Sequence, residues 1–262
     1  MTSKRPLLVL AAGVLVIALG VVGGFLVFGN NDDTPGVSGV VKEKTPSAST
    51  SGTVGGPDQV IAMPANAASI TLEELPPNYE VDVPQTFAMT VSTFSSSYWF
   101  TSDKEGNEKA KEWKILDGFQ VYYQPTGLVA EVLTGSPYIH VETYKFASVD
   151  GAKDAWAHFN GFVSRTNGSE PVEAKPLAND SSAYRFIQGT VSVSDTVAVF
   201  HRYSFRRGNF IVTVVTWGGE NYMNIDAARN IAARIDDKLL GKSPATEPTP
   251  IPTPNFNGLG SR

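Results

Sequence analysis

Apolar residues follow three rhythms along this 262-residue chain, and each rhythm predicts a different kind of element. The first is an unbroken run from Leu7 to Phe28 without a charged or amide side chain, preceded by Lys4 and Arg5 and followed by Asn30, Asn31, Asp32 and Asp33. About 22 residues rising ~1.5 Å each give roughly 33 Å of helix, enough to cross a hydrocarbon core of about 30 Å. A cleaved secretory signal needs an apolar stretch of only about 7 to 15 residues and small residues at its end. Here bulky Phe25, Leu26, Val27 and Phe28 close the run, so an uncleaved anchor over residues 7–29 is predicted. Basic flanks stay cytoplasmic, which makes residues 1–6 a cytoplasmic stub and puts the rest of the chain outside. Gly20 and Gly24 form a small-xxx-small pair on which two such helices could approach as a weak dimer.

The second rhythm has period two. Tyr138 to Phe146 alternates with aromatic and β-branched enrichment, and Phe119 to Gln124, Ala183 to Gln188, Thr196 to Arg206 and Phe210 to Trp217 are strand-like runs. Gly208 and Asn209 between the last two predict a tight hairpin, because both residue types tolerate positive φ. Within Thr196 to Arg206, Val197, Val199, His201, Tyr203 and Phe205 share one face, and Ala198, Phe200, Arg202 and Arg206 share the other. One face is expected to pack and the other to be partly wet.

The third rhythm has steps of three and four. Val149, Ala152, Ala155, Trp156, Phe159, Phe162 and Val163 fall on one face of a helix capped near Ser148, and Ile225, Ala228, Ile231, Ala232, Ile235 and Leu239 do so behind Asn224. Lys104 to Trp113 also has helical propensity. Residues 85–101 fit either period, and Arg165 to Asp180 reads as a long loop. The order of strands and helices predicts an α+β fold, an antiparallel sheet with helices packed on it.

Composition sets the limits of the folded part. Residues 30–66 are dominated by Gly, Ser, Thr, Pro and Ala and read as a disordered tether, and residues 242–262, with Pro248, Pro250, Pro252 and Pro254, read as a disordered tail. One domain over 67–241 remains. A formal charge of −5 with a pI near 5.3 argues against a nucleic-acid partner. The absence of cysteine removes disulfides, thiol catalysis and thiolate metal sites, and points to a bacterial protein at the plasma membrane with an extracytoplasmic domain.

Candidate chemistry is sparse. His140, His158 and His201 are isolated on different elements, no serine stands in a Gly-x-Ser-x-Gly frame, and the glycine-rich stretches lie in the tether. Glu73 with Glu74 and Asp236 with Asp237 are adjacent carboxylates that point apart on a helix. No catalytic residue, cofactor or metal ligand is therefore named. Arg202, Arg206 and Arg207 cluster toward the hairpin and could receive an anion. Trp217 to Tyr222 is a glycine-containing loop with two aromatics before a helix N-terminus, where a small ligand could bind. Arg202, Arg206, Trp217 and Tyr222 are the ligand-binding candidates.

Leu75-Pro76-Pro77-Asn78-Tyr79, the helix around Ala152 and Trp156, the Phe205-Arg206-Arg207-Gly208-Asn209 hairpin and the closing alanine-rich helix together resemble bacterial Mog1/PsbP-like extracytoplasmic lipoproteins and kinase sensor domains. The resemblance covers most of residues 67–240. It implies a noncatalytic binding or accessory module with an antiparallel sheet between helices. The chain departs from the lipoproteins in lacking a lipobox cysteine and from the sensor kinases in lacking a kinase. The expectation is a single-pass, membrane-anchored binding module for an unknown protein or small molecule. The alternatives are an enzyme acting on cell-envelope polymers and a structural surface protein.

Overall fold

The computed structural model describes residues 56–126, 137–190 and 197–243, with the backbone alone described at 188–190. All described residues belong to one compact unit. The predicted anchor, Gly20 and Gly24 among it, lies outside the described residues, as does most of the predicted tail. Among the described residues no helix is long and apolar enough to cross a membrane.

The elements in chain order are α1 (Ala65–Ala68), β1 (Tyr79–Val81), β2 (Phe87–Met89), α2 (Val91–Ser95), α3 (Asp103–Trp113), β3 (Ile115–Pro125), β4 (Tyr138–Phe146), α4 (Val149–Arg165), β5 (Ser169–Pro171), β6 (Asp180–Thr190), β7 (Val197–Arg207), β8 (Phe210–Gly219) and α5 (Ile225–Leu239). The strands form one eight-stranded sheet in the order β1-β3-β4-β8-β7-β6-β5, with β2 also on β3. Every pairing is antiparallel. The fold is α+β with helices on the sheet, as the periodicities predict.

Both faces of the sheet are covered. On one, Val121, Val141, Phe205, Val212 and Val214 pack under Ala228, Ile231, Ala232 and Ile235 of α5 and under Ala65 and Ala68 of α1. On the other, Tyr144, Phe146, Tyr184 and Ile211 pack under Ala152, Ala155, Trp156 and Phe159 of α4, with Phe94, Trp99 and Trp113 beside them. The two long helices start where their caps predict, since the Ser148 hydroxyl accepts from the Gly151 amide and the Asn224 side chain from the Asp226 amide. The stretch 85–101, ambiguous in sequence, resolves into β2, α2 and a turn that carries Tyr98 and Trp99.

Two expectations about the sheet change. The predicted long loop contains the edge strand β5, paired through Ser169–Pro171 with Tyr184, Arg185 and Phe186. The partly wet face of β7 is buried: Arg202 is 4% exposed and Arg206 3%. A charged residue can occupy such a face when other buried groups satisfy its hydrogen bonds, and the partners come from distant parts of the chain.

Candidate functional site

Arg206 and Arg202 occupy the same face of β7, four residues or about 13 Å apart along the strand, and each organises a separate site. Arg206 lies beside the β7–β8 hairpin. Its Nε donates to Asp180 Oδ2 at 2.6 Å, and its Nη1 donates to Asp58 Oδ1 at 2.7 Å and to the Gly208 carbonyl at 2.9 Å. Asp58 also meets Lys153 at 3.2 Å. The hydrogen bond from Arg206 holds the Asp58 carboxyl below its ordinary range against the opposing effect of burial, with Lys153 adding to the effect.

Asp58 belongs to a strap, residues 56–66, that crosses the hairpin. Gly208, at φ +54°, is placed so that a Cβ there would lie 2.0 Å from the Gln59 carbonyl oxygen. Asn209 Oδ1 accepts from the Ile61 amide at 2.7 Å, and its Nδ2 donates to the Phe146 carbonyl at 2.6 Å. Lys145 donates to the Ala62 carbonyl, and the Ala65 amide donates to Asp117. The folded region thus begins upstream of residue 67, and residues 56–66 of the expected tether are fastened to the sheet. The hairpin prediction is right in place but different in cause, since Gly208 alone takes positive φ while Asn209 acts through its amide. Arg207 leaves the opposite face of β7 for a bidentate pair with Asp236 of α5 at 2.7 and 2.8 Å, both side chains nearly buried. The three arginines therefore do not converge.

Arg202 lies in the middle of the sheet, next to a row of polar side chains that crosses five strands. Gln120, Glu142, Thr213, Ser204 and Ser182 are successive cross-strand partners on β3, β4, β8, β7 and β6. Arg202 Nη2 donates to Thr213 Oγ1 at 3.3 Å and to the Tyr98 hydroxyl at 3.1 Å, while Glu142 Oε2 stands 3.7 Å from the same nitrogen. Tyr98 bridges the pair, because its hydroxyl also donates to Glu142 Oε2 at 2.7 Å. The guanidinium carbon lies 4.6 Å from the Trp99 ring centroid, a cation–π contact. Trp99 is fixed by stacking on Phe159 at 4.1 Å and by its indole N–H to the Tyr144 hydroxyl at 2.9 Å.

Burial dominates the electrostatics here. It pushes the Glu142 carboxyl up, with Arg202 and Tyr98 pulling the other way, and it pushes the Tyr98 phenol well up. Burial opposes the charge on Arg202, yet Tyr98 and Glu142 outweigh it and hold its pKa above the ordinary value. His140, stacked on Tyr122 at 3.9 Å, is pushed down to about 3 by burial and then by Arg202. A small recess beside this row, lined by Trp99, Trp156, Phe159, Asn160, Ser182, Ser204 and Thr213, has room for about one water molecule.

The other two candidates fall elsewhere. Trp217 is 6% exposed and packs on Tyr138 and Phe200, while Tyr222 is 58% exposed in the turn after β8. The structure does not bring Arg202, Arg206, Trp217 and Tyr222 to one concavity. Sequence reasoning missed Tyr98, Glu142, Asp58 and Asp180. Glu142 was detectable, since it shares its strand face with Tyr144 and Phe146 and a carboxylate there requires a cation. Among the described residues no group of His, Asp and Glu is arranged to hold a metal ion.

The extracellular domain of PknH from Mycobacterium tuberculosis is similar in structure, with 13% sequence identity, 68% of this chain and 95% of that one covered, and a TM-score of 0.36. No protein-family model and no curated protein matches the sequence. A likeness of that size leaves function to be argued from the residues themselves.

Proposed function

We propose that the chain is a single-pass, membrane-anchored extracytoplasmic binding module, noncatalytic, whose tether is built into the domain it carries. The reading rests on the strap. A passive linker would leave residues 56–66 in solvent, whereas here Asp58, Ile61, Ala62 and Ala65 are each bonded to the folded body. The last turn of α5 lies at the same end, through Arg207 and Asp236. The chain therefore enters and leaves the domain beside the hairpin. The opposite end of the sheet, with the Gly219 end of β8 and Tyr222, is the end farthest from those attachments and the one offered to a partner.

Two measurements test this reading. Protease added outside intact cells should cleave the domain while the N-terminal stub stays protected. Crosslinking of the full chain in membranes, followed by pull-down, should enrich a discrete partner. A protected domain, or the lack of any enriched partner together with no ligand that shifts the melting temperature, contradicts the proposal.

A further inference from the structure

The hydroxyl of Tyr98 occupies a position that two buried charged groups define. It donates to Glu142 and accepts from Arg202, and those two groups stand 3.7 Å apart, wider than a direct hydrogen bond. The phenol ring lies in a slot with the Trp99 ring 4.6 Å away at 34°, Phe162 at 6.3 Å and the Arg202 guanidinium at 5.9 Å. The walls of the slot do not depend on Tyr98. Arg202 is also held by Ser204 and Thr213, and Trp99 by Phe159 and Tyr144. Tyr98 itself is half-buried and comes from the turn between α2 and α3, whose backbone bonds at Ser97 and Phe100 stay within the turn. The Trp99 carbonyl meets His158 Nε2 of α4 at 2.9 Å, which holds the Trp99 wall independently of the Tyr98 side chain.

We propose that the slot between Trp99, Phe162 and the Arg202–Glu142 pair is a binding site for a small phenol, closed in this structure by the chain's own Tyr98. The proposal rests on the reading of the chain as a binding module and gives that module a ligand class. The ligand's ring takes the place of the Tyr98 ring, and its hydroxyl donates to Glu142 and accepts from Arg202. An unsubstituted ring would leave both charged groups without that partner, so the site selects the hydroxyl.

The probe is p-cresol, the side chain of tyrosine as a free molecule, with toluene as the same ring lacking the hydroxyl. In the full-length Tyr98→Gly chain in detergent, p-cresol should raise the melting temperature and bind about tenfold or more tightly than toluene. Adding Arg202→Gln should remove that preference. In the otherwise unaltered chain carrying 3-fluorotyrosine at position 98, p-cresol should bring up a second fluorine resonance as the native ring swings out, a readout that does not depend on the glycine variant folding. Equal binding of p-cresol and toluene, or a single unchanged resonance at saturating p-cresol, overturns the proposal. Recovery of a crosslinked partner alongside either of those negative results would remove the phenol site and leave the binding module standing.

Discussion

Arg206 and Arg202 share a strand, a face and near-complete burial, yet they do different work, and the difference lies in what neutralises them. Arg206 meets two carboxylates, one from the neighbouring strand and one from the strap more than a hundred residues away in sequence. Its pairs close a junction between the chain's entry and its hairpin. Arg202 meets a single carboxylate at a looser 3.7 Å, with a neutral phenol between them and an indole above. An ion cluster closed by direct hydrogen bonds is a fastening, because removing the central Arg206 leaves both carboxylates without that cation. A pair opened by a neutral hydroxyl is a position that another hydroxyl can fill. Two arginines on one buried strand therefore need not report one site.

The largest effect is expected where the fastening is driest. Asp236→Ala leaves the Arg207 guanidinium inside the core and should cost about 3–5 kcal/mol in urea unfolding. Gly208→Ala places a Cβ against the Gln59 carbonyl at a positive φ and should cost about 2 kcal/mol, with the strap displaced while the sheet remains. That separates the strap from the rest of the hairpin end. A protease cut that appears within residues 56–66 of the variant alone would show it.

Acid should distinguish the groups by sign. Burial holds the folded His140 imidazole down at about 3, below its ordinary value of 6.5, so its contribution is fully present above pH 6.5 and is lost as pH falls toward 3. Replacing His140 by Asn should remove about 2 kcal/mol of acid sensitivity at pH 5 in thermal unfolding. Asp58, lowered by Arg206, acts in the same direction within the carboxylate range, its contribution fading as pH falls through its depressed pKa. Glu142, raised by burial, acts the other way, its contribution being full below the ordinary carboxylate range and declining as pH rises through its folded value. The strap and the central site thus respond to pH with opposite slopes from their carboxylates. The smallest effect is Tyr98→Phe, which removes the hydroxyl between Glu142 and Arg202 and should cost about 1.5 kcal/mol in thermal unfolding, because neither group regains that partner.

The sheet and its two long helices were legible because their patterns are local. The alternation of Tyr138 to Phe146, the Gly208 turn and the stripe from Ala152 to Val163 each specify an element without outside help. The strap was not legible, because Asp58, Ile61 and Ala65 sit in a sequence of linker composition and gain their role from Arg206, Asn209 and Asp117. The site was half legible. Arg202 and Arg206 were singled out as anion-binding residues, and they do bind anionic groups, but those groups are the chain's own carboxylates. Spacing along one strand reveals that two side chains share a face; it does not reveal that Asp58 or Tyr98 will reach them from elsewhere.

The separation of the two sites is tested most directly by amide hydrogen exchange at Ile61, whose N–H is bonded to Asn209 in the strap junction. In the full-length chain, Arg206→Gln should accelerate exchange at Ile61 while Arg202→Gln leaves it at the unsubstituted rate. Equal acceleration by both substitutions, or by neither, would contradict the division of β7 into a fastened end and a replaceable centre.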